Sequence, residues 1–309
     1  MTAYPFSFLH GFRLKCLEAD LHVHSIIVDS NRFGKTTHDF KPQRRQNIYS
    51  GSKTVTALAV GMAIQEGRVQ LATKLLDVFP EYGEQAAEHV DAITLRHLLN
   101  MTTGKHHFFL KTAQPNDDID ILELFCQEPL DALPGETFFY NNASTYALSR
   151  IVEAVSGERL DQYLMKRLFT PLGIVRPAWH TCARNHVFGF SELYLTPDEY
   201  SRIGRLLLNG GVYEDKERVA ASYIEQMHTD TIDSGFFDEP ELEAGYGYQC
   251  WRGTIPGSFR ADGLYGQFSV VSPRHEAVVT ATAHNVDNPY GIIAAMNTEI
   301  FDLLDQLEV

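Results

Sequence analysis

Tyr49-Ser50-Gly51-Ser52-Lys53, followed by Thr54-Val55-Thr56-Ala57-Leu58-Ala59-Val60-Gly61-Met62-Ala63-Ile64, decides how this chain is read. Val55, Leu58, Ala59, Met62 and Ala63 recur at helical spacing, and Ala57, Val60 and Ile64 fill most other faces. A helix that is apolar nearly all round is a buried one. Gly67, after Glu66, supplies its stop. Ser50 is expected at or just before the first turn, with Lys53 on the same side one turn later. A hydroxyl there meets the positive end of the helix dipole and free backbone N–H groups. A lysine held in low dielectric loses proton affinity and can act as a base. Together they form an activated serine nucleophile. A plain helix cap with a solvated first-turn lysine uses the same residue types. Against that, this is the only Ser-x-x-Lys in the chain, and a lysine opening a buried helix needs a reason.

Composition bounds the rest. The 309 residues suffice for one large domain or two modest ones. A 44% hydrophobic, 21% charged chain is ordinary for a soluble globular protein. A formal net charge of -14 argues against nucleic acid or an anionic membrane surface as the main partner. Cys16, Cys126, Cys182 and Cys250 are far apart and form no C-x-x-C, so they read as reduced thiols. Residues 1–15 lack a basic start followed by an apolar core, and no apolar run approaches transmembrane length. A cytoplasmic location is expected, with a trimmed leader as the other option.

Strand patterns lie at the two ends of the chain. Val23–Val28 reads as a strand, and Phe33-Gly34-Lys35-Thr36-Thr37 as the start of an antiparallel partner. From Tyr246 the pattern turns to period two, with Phe268–Val271 and Ala277–Thr282 joined by the hairpin Ser272-Pro273-Arg274-His275-Glu276. Between the ends the periodicity is helical. Thr94 caps a run with Leu95, Leu98 and Leu99, Asp117–Phe125 is a short helix, and Ser144–Val155 is a longer one. Thr196-Pro197-Asp198-Glu199 opens another with cap, proline and acids in order. Residues 290–307 close the chain as an amphipathic helix. The expected class is α+β. One antiparallel sheet, flanked by terminal helices, is built from residues 1–47 and 186–309. An all-helical domain over residues 48–185 is inserted, with the active site at the junction.

Two further stretches complete a constellation. Tyr140-Asn141-Asn142 is the only Tyr-x-Asn, and Arg260-Ala261-Asp262-Gly263-Leu264-Tyr265-Gly266-Gln267 runs into the first hairpin strand. Ser50-x-x-Lys53, Tyr140-x-Asn142 and a glycine-ended triplet before an edge strand resemble the serine β-lactamase and penicillin-binding protein superfamily. The likeness is closer to its class C-type and esterase branch. Flanking text supports it over most of the chain: residues 98–104 resemble LLTMTSG, residues 134–158 resemble the tyrosine-motif segment, residues 167–174 resemble the stretch after it, and residues 245–253 resemble the lead-in to the third motif. The resemblance implies a β-lactamase/transpeptidase-like fold and acyl transfer on Ser50. Lys53 and Tyr140 would share proton transfer, both with pKa values near neutrality. Asn142 would orient Lys53 and the substrate. The backbone N–H groups of Ser50 and Leu264 would form the oxyanion hole, and Gly263 would let substrate approach the strand.

The third motif departs from the family, which mostly has lysine or histidine where Ala261 stands. Arg260 is adjacent, but neighbouring side chains on a strand point to opposite faces. Arg260, Ala261, Asp262 and Gly263 are candidate substrate contacts, and Trp251 and Tyr265 candidate lining. His106-His107 lacks a second cluster at ligand spacing, so no metal and no cofactor is expected. The reading is a serine hydrolase for small esters or amides: an esterase, D-aminopeptidase-like or weakly β-lactam-hydrolysing. The alternative is a penicillin-recognising binding or sensor domain that has lost turnover.

Overall fold

A computed structural model of the protein describes residues 7–106, 118–235 and 237–307. Helix α1 (His10–Glu18) precedes strands β1 (Val23–Ser30) and β2 (Gly34–Asp39). The middle of the chain is mainly helical and includes α2 (Gly51–Gln65), α3 (Leu95–Leu99), α4 (Asn142–Ser156) and α5 (Pro197–Leu208). Then come β3 (Trp251–Arg252), β4 (Phe259–Gly263), β5 (Gln267–Ser272) and β6 (Ala277–Ala283). Helix α6 (Gly291–Met296) continues through a π turn, Asn297–Phe301, to Asp302–Leu307.

One six-stranded sheet gathers the strands from both ends in the order β2-β1-β6-β5-β4-β3, with antiparallel neighbours throughout. The period-two reading needs one correction. Strands β5 and β6 are buried at every position, because helices cover both faces. On one face Phe12, Ile26, Val28, Phe268, Val279 and Met296 form a cluster under the terminal helices. On the other, Val271 and Val278 join Ile203, Leu206 and Leu207 of α5. The polar alternation that looks like a solvated face is internal. Ser269 lies opposite Thr280, and their hydroxyls hydrogen-bond each other at 3.1 Å. Buried hydroxyls that satisfy one another cost little.

Helix α2 runs through the helical core and is buried at every position from Gly51 to Ala63. The expected caps form. Thr94 Oγ1 accepts from His97 N–H, and Thr196 and Glu199 make a reciprocal capping box. The short helix after the 107–117 segment spans Ile121–Gln127 and is capped by Asp120, while Asp117 lies outside the described residues. Among the described residues no helix is long and apolar enough to cross a membrane. The four cysteines are buried and unpaired, and burial raises the thiols of Cys16, Cys126 and Cys250 to about 12.

A buried polar knot ties the helices to the sheet's edge. Gln249 Nε2 donates to the carbonyls of Leu98 (3.1 Å) and Leu99 (2.8 Å), and its Oε1 accepts from Thr145 Oγ1 at 2.6 Å. Thr54 Oγ1 of α2 donates to the Gln249 carbonyl at 2.7 Å. One side chain thus pins the end of α3 to α4, and its backbone pins α2. Gln249→Ala would leave buried acceptors unpaired and open a cavity, a loss of about 3 kcal/mol. The expected result in a thermal melt is a midpoint lower by about 5–10 °C. An unchanged midpoint would remove this role.

Candidate active site

The segment leading to Ser50 is fixed before α2 begins. Gln46–Asn47 pairs with Leu195 and Tyr194, and Ile48 N–H donates to the Leu193 carbonyl at 2.9 Å. Tyr49 then takes a left-handed φ of 47°, and its N–H donates to Asn47 Oδ1 at 2.7 Å. That conformation is costly for a bulky residue and is held by its surroundings. Ser50 occupies the cap position of α2, yet its side chain makes no capping bond. The hydroxyl is instead 3.0 Å from Lys53 Nζ.

Lys53 is 1% exposed. Its Nζ also lies 2.8 Å from Asn142 Oδ1 and 3.2 Å from the Phe190 carbonyl. Burial lowers its pKa to about 7, and Asp262 partly opposes this. A neutral amine has two N–H donors and one lone pair. Two carbonyl-type acceptors occupy the donors, so the lone pair is left for the Ser50 hydroxyl. Asn142 stands at the first position of α4, where the Asn141 side chain caps the helix through Ser144 N–H at 2.7 Å.

Tyr140 is placed by aromatic packing. Its ring stacks on Trp251 with centroids 5.5 Å apart, and Tyr246 packs edge-on against both rings. Lys53 Nζ faces the Tyr140 ring, 4.8 Å from its centroid. The phenol is hydrogen-bonded with Ser50. Burial drives the Tyr140 pKa well up, and the bond to Ser50 only partly offsets this. The expectation of a pKa near neutrality therefore holds for Lys53 and is corrected for Tyr140. Burial that disfavours the Lys53 ammonium also weakens its pull on the phenolic proton.

Strand β4 forms the opposite wall, and here the structure reorders the candidates. Ala261 is buried in the core shared with α5, and its carbonyl accepts from Tyr200 Oη at 3.0 Å. It does not line the cleft. Arg260 and Asp262 share the other face. Arg260 is fully buried, bonded through Nε to Asp262 Oδ2 (2.9 Å) and through Nη1 to Glu241 Oε2 (3.0 Å). It supports the wall from behind. Asp262 and Gly263 do line the cavity, which measures about 260 Å³ and includes Ser50, Tyr140, Trp251 and Tyr265. Gly263 has a reason other than substrate access. A Cβ there would stand 2.1 Å from the Ile48 carbonyl oxygen, so glycine lets β4 close onto the nucleophile segment. Beyond it, Leu264 lines the cavity too. Among the described residues the backbone N–H groups of Ser50 and Leu264 donate to no protein acceptor outside regular helix and strand pairing.

The cavity is mostly apolar, and Tyr290 and Phe237, which the sequence reading did not single out, close it. So does nothing basic: no lysine or arginine lines it among the described residues. His106 stacks on Phe139 with centroids 4.7 Å apart, and His107 lies outside the described residues. Among the described residues no three His, Cys, Asp or Glu side chains converge.

Known proteins resemble this chain along most of its length. Penicillin-binding protein 4 of Amycolatopsis lactamdurans is 27% identical over 295 residues, covering 84% of this chain and 76% of that protein. The 6-aminohexanoate-dimer hydrolase of Paenarthrobacter ureafaciens is 27% identical over 264 residues, covering 78% of this chain and 66% of that protein. The crystal structure of a penicillin-binding protein homologue from Caulobacter crescentus superposes with a TM-score of 0.73 at 15% identity, over 97% of this chain and 99% of the other. The fold is the β-lactamase/transpeptidase-like one. The profile of the Beta-lactamase family matches residues 28–303, and this chain belongs to that family.

Proposed function

We propose that the protein is a serine hydrolase that forms an acyl-enzyme on Ser50 with small esters or amides. The observation that carries this is the buried Lys53 amine, whose two N–H groups are occupied by Asn142 and Phe190 and whose third neighbour is the Ser50 hydroxyl. Ser50 Oγ attacks the acyl carbon as its proton passes to Lys53 Nζ. The oxyanion is stabilised by the N–H groups of Ser50 and Leu264. Tyr140 Oη protonates the leaving oxygen or nitrogen, and the Lys53 ammonium restores the phenolic proton. Water then attacks the acyl carbon, and Lys53 takes its proton through the same contacts. Ser50 leaves with a proton and the acid is released. The amide-cleaving relative supports amides within the range, and the mostly aromatic cavity supports acyl chains of modest size.

Intact mass after a fluorophosphonate should rise by one adduct, and Ser50→Ala should show none. A persisting adduct in that variant would remove the assignment. The active form of Lys53 is the deprotonated one, and its pKa is lowered to about 7. Acylation of a neutral ester should therefore climb with pH through about 7 and level off above it. A profile already flat down to pH 5 would contradict Lys53 as base. Tyr140→Phe should lower kcat/KM by about 10²–10⁴-fold, with the adduct still forming slowly. Gly263→Ala should lower turnover and also lower the melting midpoint, since its methyl meets the Ile48 backbone carbonyl and pushes β4 off it. Full activity in that variant would show the spacing to be unimportant.

A further inference from the structure

We propose that the cleft is built for a substrate carrying a positive charge: an ester or amide with an ammonium group on its acyl side. This rests on the acyl-transfer reading and adds the substrate class. Its specificity-determining residue is Asp262.

The first ground is charge. Asp262 lines the same cavity as Ser50, and its side chain is 10% exposed, whereas its partner Arg260 is 0% exposed and lines no part of it. Arg260 is also shared. It bonds the Glu241 carboxylate, and Nη1 and Nη2 reach the carbonyls of Arg252 (2.6 Å) and Glu241 (3.0 Å). One guanidinium is thus divided between two carboxyl groups, and Asp262 is the one that reaches the cavity.

The second ground is unused bonding capacity. Asp262 Oδ2 accepts from Arg260 Nε at 2.9 Å and from Tyr290 Oη at 3.4 Å. No donor among the described residues is bonded to Oδ1. Burial raises the Asp262 pKa and Arg260 and Tyr290 oppose it, so a cation at Oδ1 would add to the groups that favour the carboxylate.

The third ground is the lining. Tyr140, Trp251, Tyr265, Tyr290 and Phe237 surround the cavity. Aromatic faces attract cations and tolerate an alkylammonium that is poorly hydrated. A carboxylate in the same place would meet Asp262 and those negative ring faces, with no basic side chain lining the cavity to receive it.

The test compares p-nitrophenyl esters of matched length: 4-(trimethylammonio)butanoate, its neutral tert-butyl isostere, and the glutarate monoester. The expected order in kcat/KM is cationic, neutral, anionic, with cation over anion by about tenfold or more at low salt. The advantage should reside mainly in KM. In Asp262→Asn the cation-to-neutral ratio should fall to within about twofold of unity. Fluorophosphonate labelling and a melt of that variant report whether the site still stands, and the wild-type order is decisive without it. Equal or reversed rates in the wild type would overturn the inference while leaving acyl transfer intact. An unlabelled, inert Ser50 would overturn both.

Discussion

An amine buried with no carboxylate bonded to it among the described residues is the constraint on which the rest depends. Lys53 could be stabilised as a cation by an acid, and it would then be useless as a base. Its neighbours are instead a hydroxyl, an amide oxygen and a backbone carbonyl. Neutral oxygen acceptors hold the side chain in place and leave desolvation in control of its proton. The uniformly apolar helix behind it is the other half of this arrangement. Residues 51–63 are buried throughout, so the lysine stem is packed on protein rather than on solvent. Asn142 and Phe190 arrive from different parts of the chain, one at the start of a capped helix and one from a loop that packs closely on Thr56 and Ser149 at Gly189.

The wall opposite the nucleophile obeys a different logic. There the backbone matters more than the side chains. Gly263 brings the strand against the Ile48 carbonyl, and Gly51 does the same for α2 against Tyr200, whose hydroxyl in turn holds the Ala261 carbonyl. Helix start, nucleophile loop and strand end are thus mutually registered through missing side chains. Tyr49, twisted into a left-handed conformation between them, takes up the remaining misfit. Strain of this kind persists only where the flanking structure is rigid.

Much of this was legible in the residues. Ser50 and Lys53 could be paired because α-helical spacing is a geometric certainty once a helix is granted, and the caps at Thr94 and Thr196 follow from local chemistry. Tyr140 and Asn142 were legible only through family resemblance, since nothing local relates them to a helix some 90 residues away. The facing of β4 was not legible. Period two separates Arg260 from Ala261, but it cannot say which face is the cleft when helices bury both sides of a sheet. The Phe190 carbonyl was invisible for a simpler reason: every residue has one. Glu241 was likewise hidden, because its partner Arg260 is met through the fold of a loop rather than through spacing. The phenol's high pKa was misjudged because spacing does not show that the Tyr140 hydroxyl is itself buried, and burial outweighs its bond to Ser50.

The unpaired, buried thiols carry one more consequence. Cys16, Cys126, Cys182 and Cys250 stand in different packed regions and none lines the cleft. With no thiol lining the cavity, thiol-blocking reagents have no target there. Alkylation of this protein would instead register breathing of the interior, region by region, because each sulfur becomes reachable only when the layer around it opens.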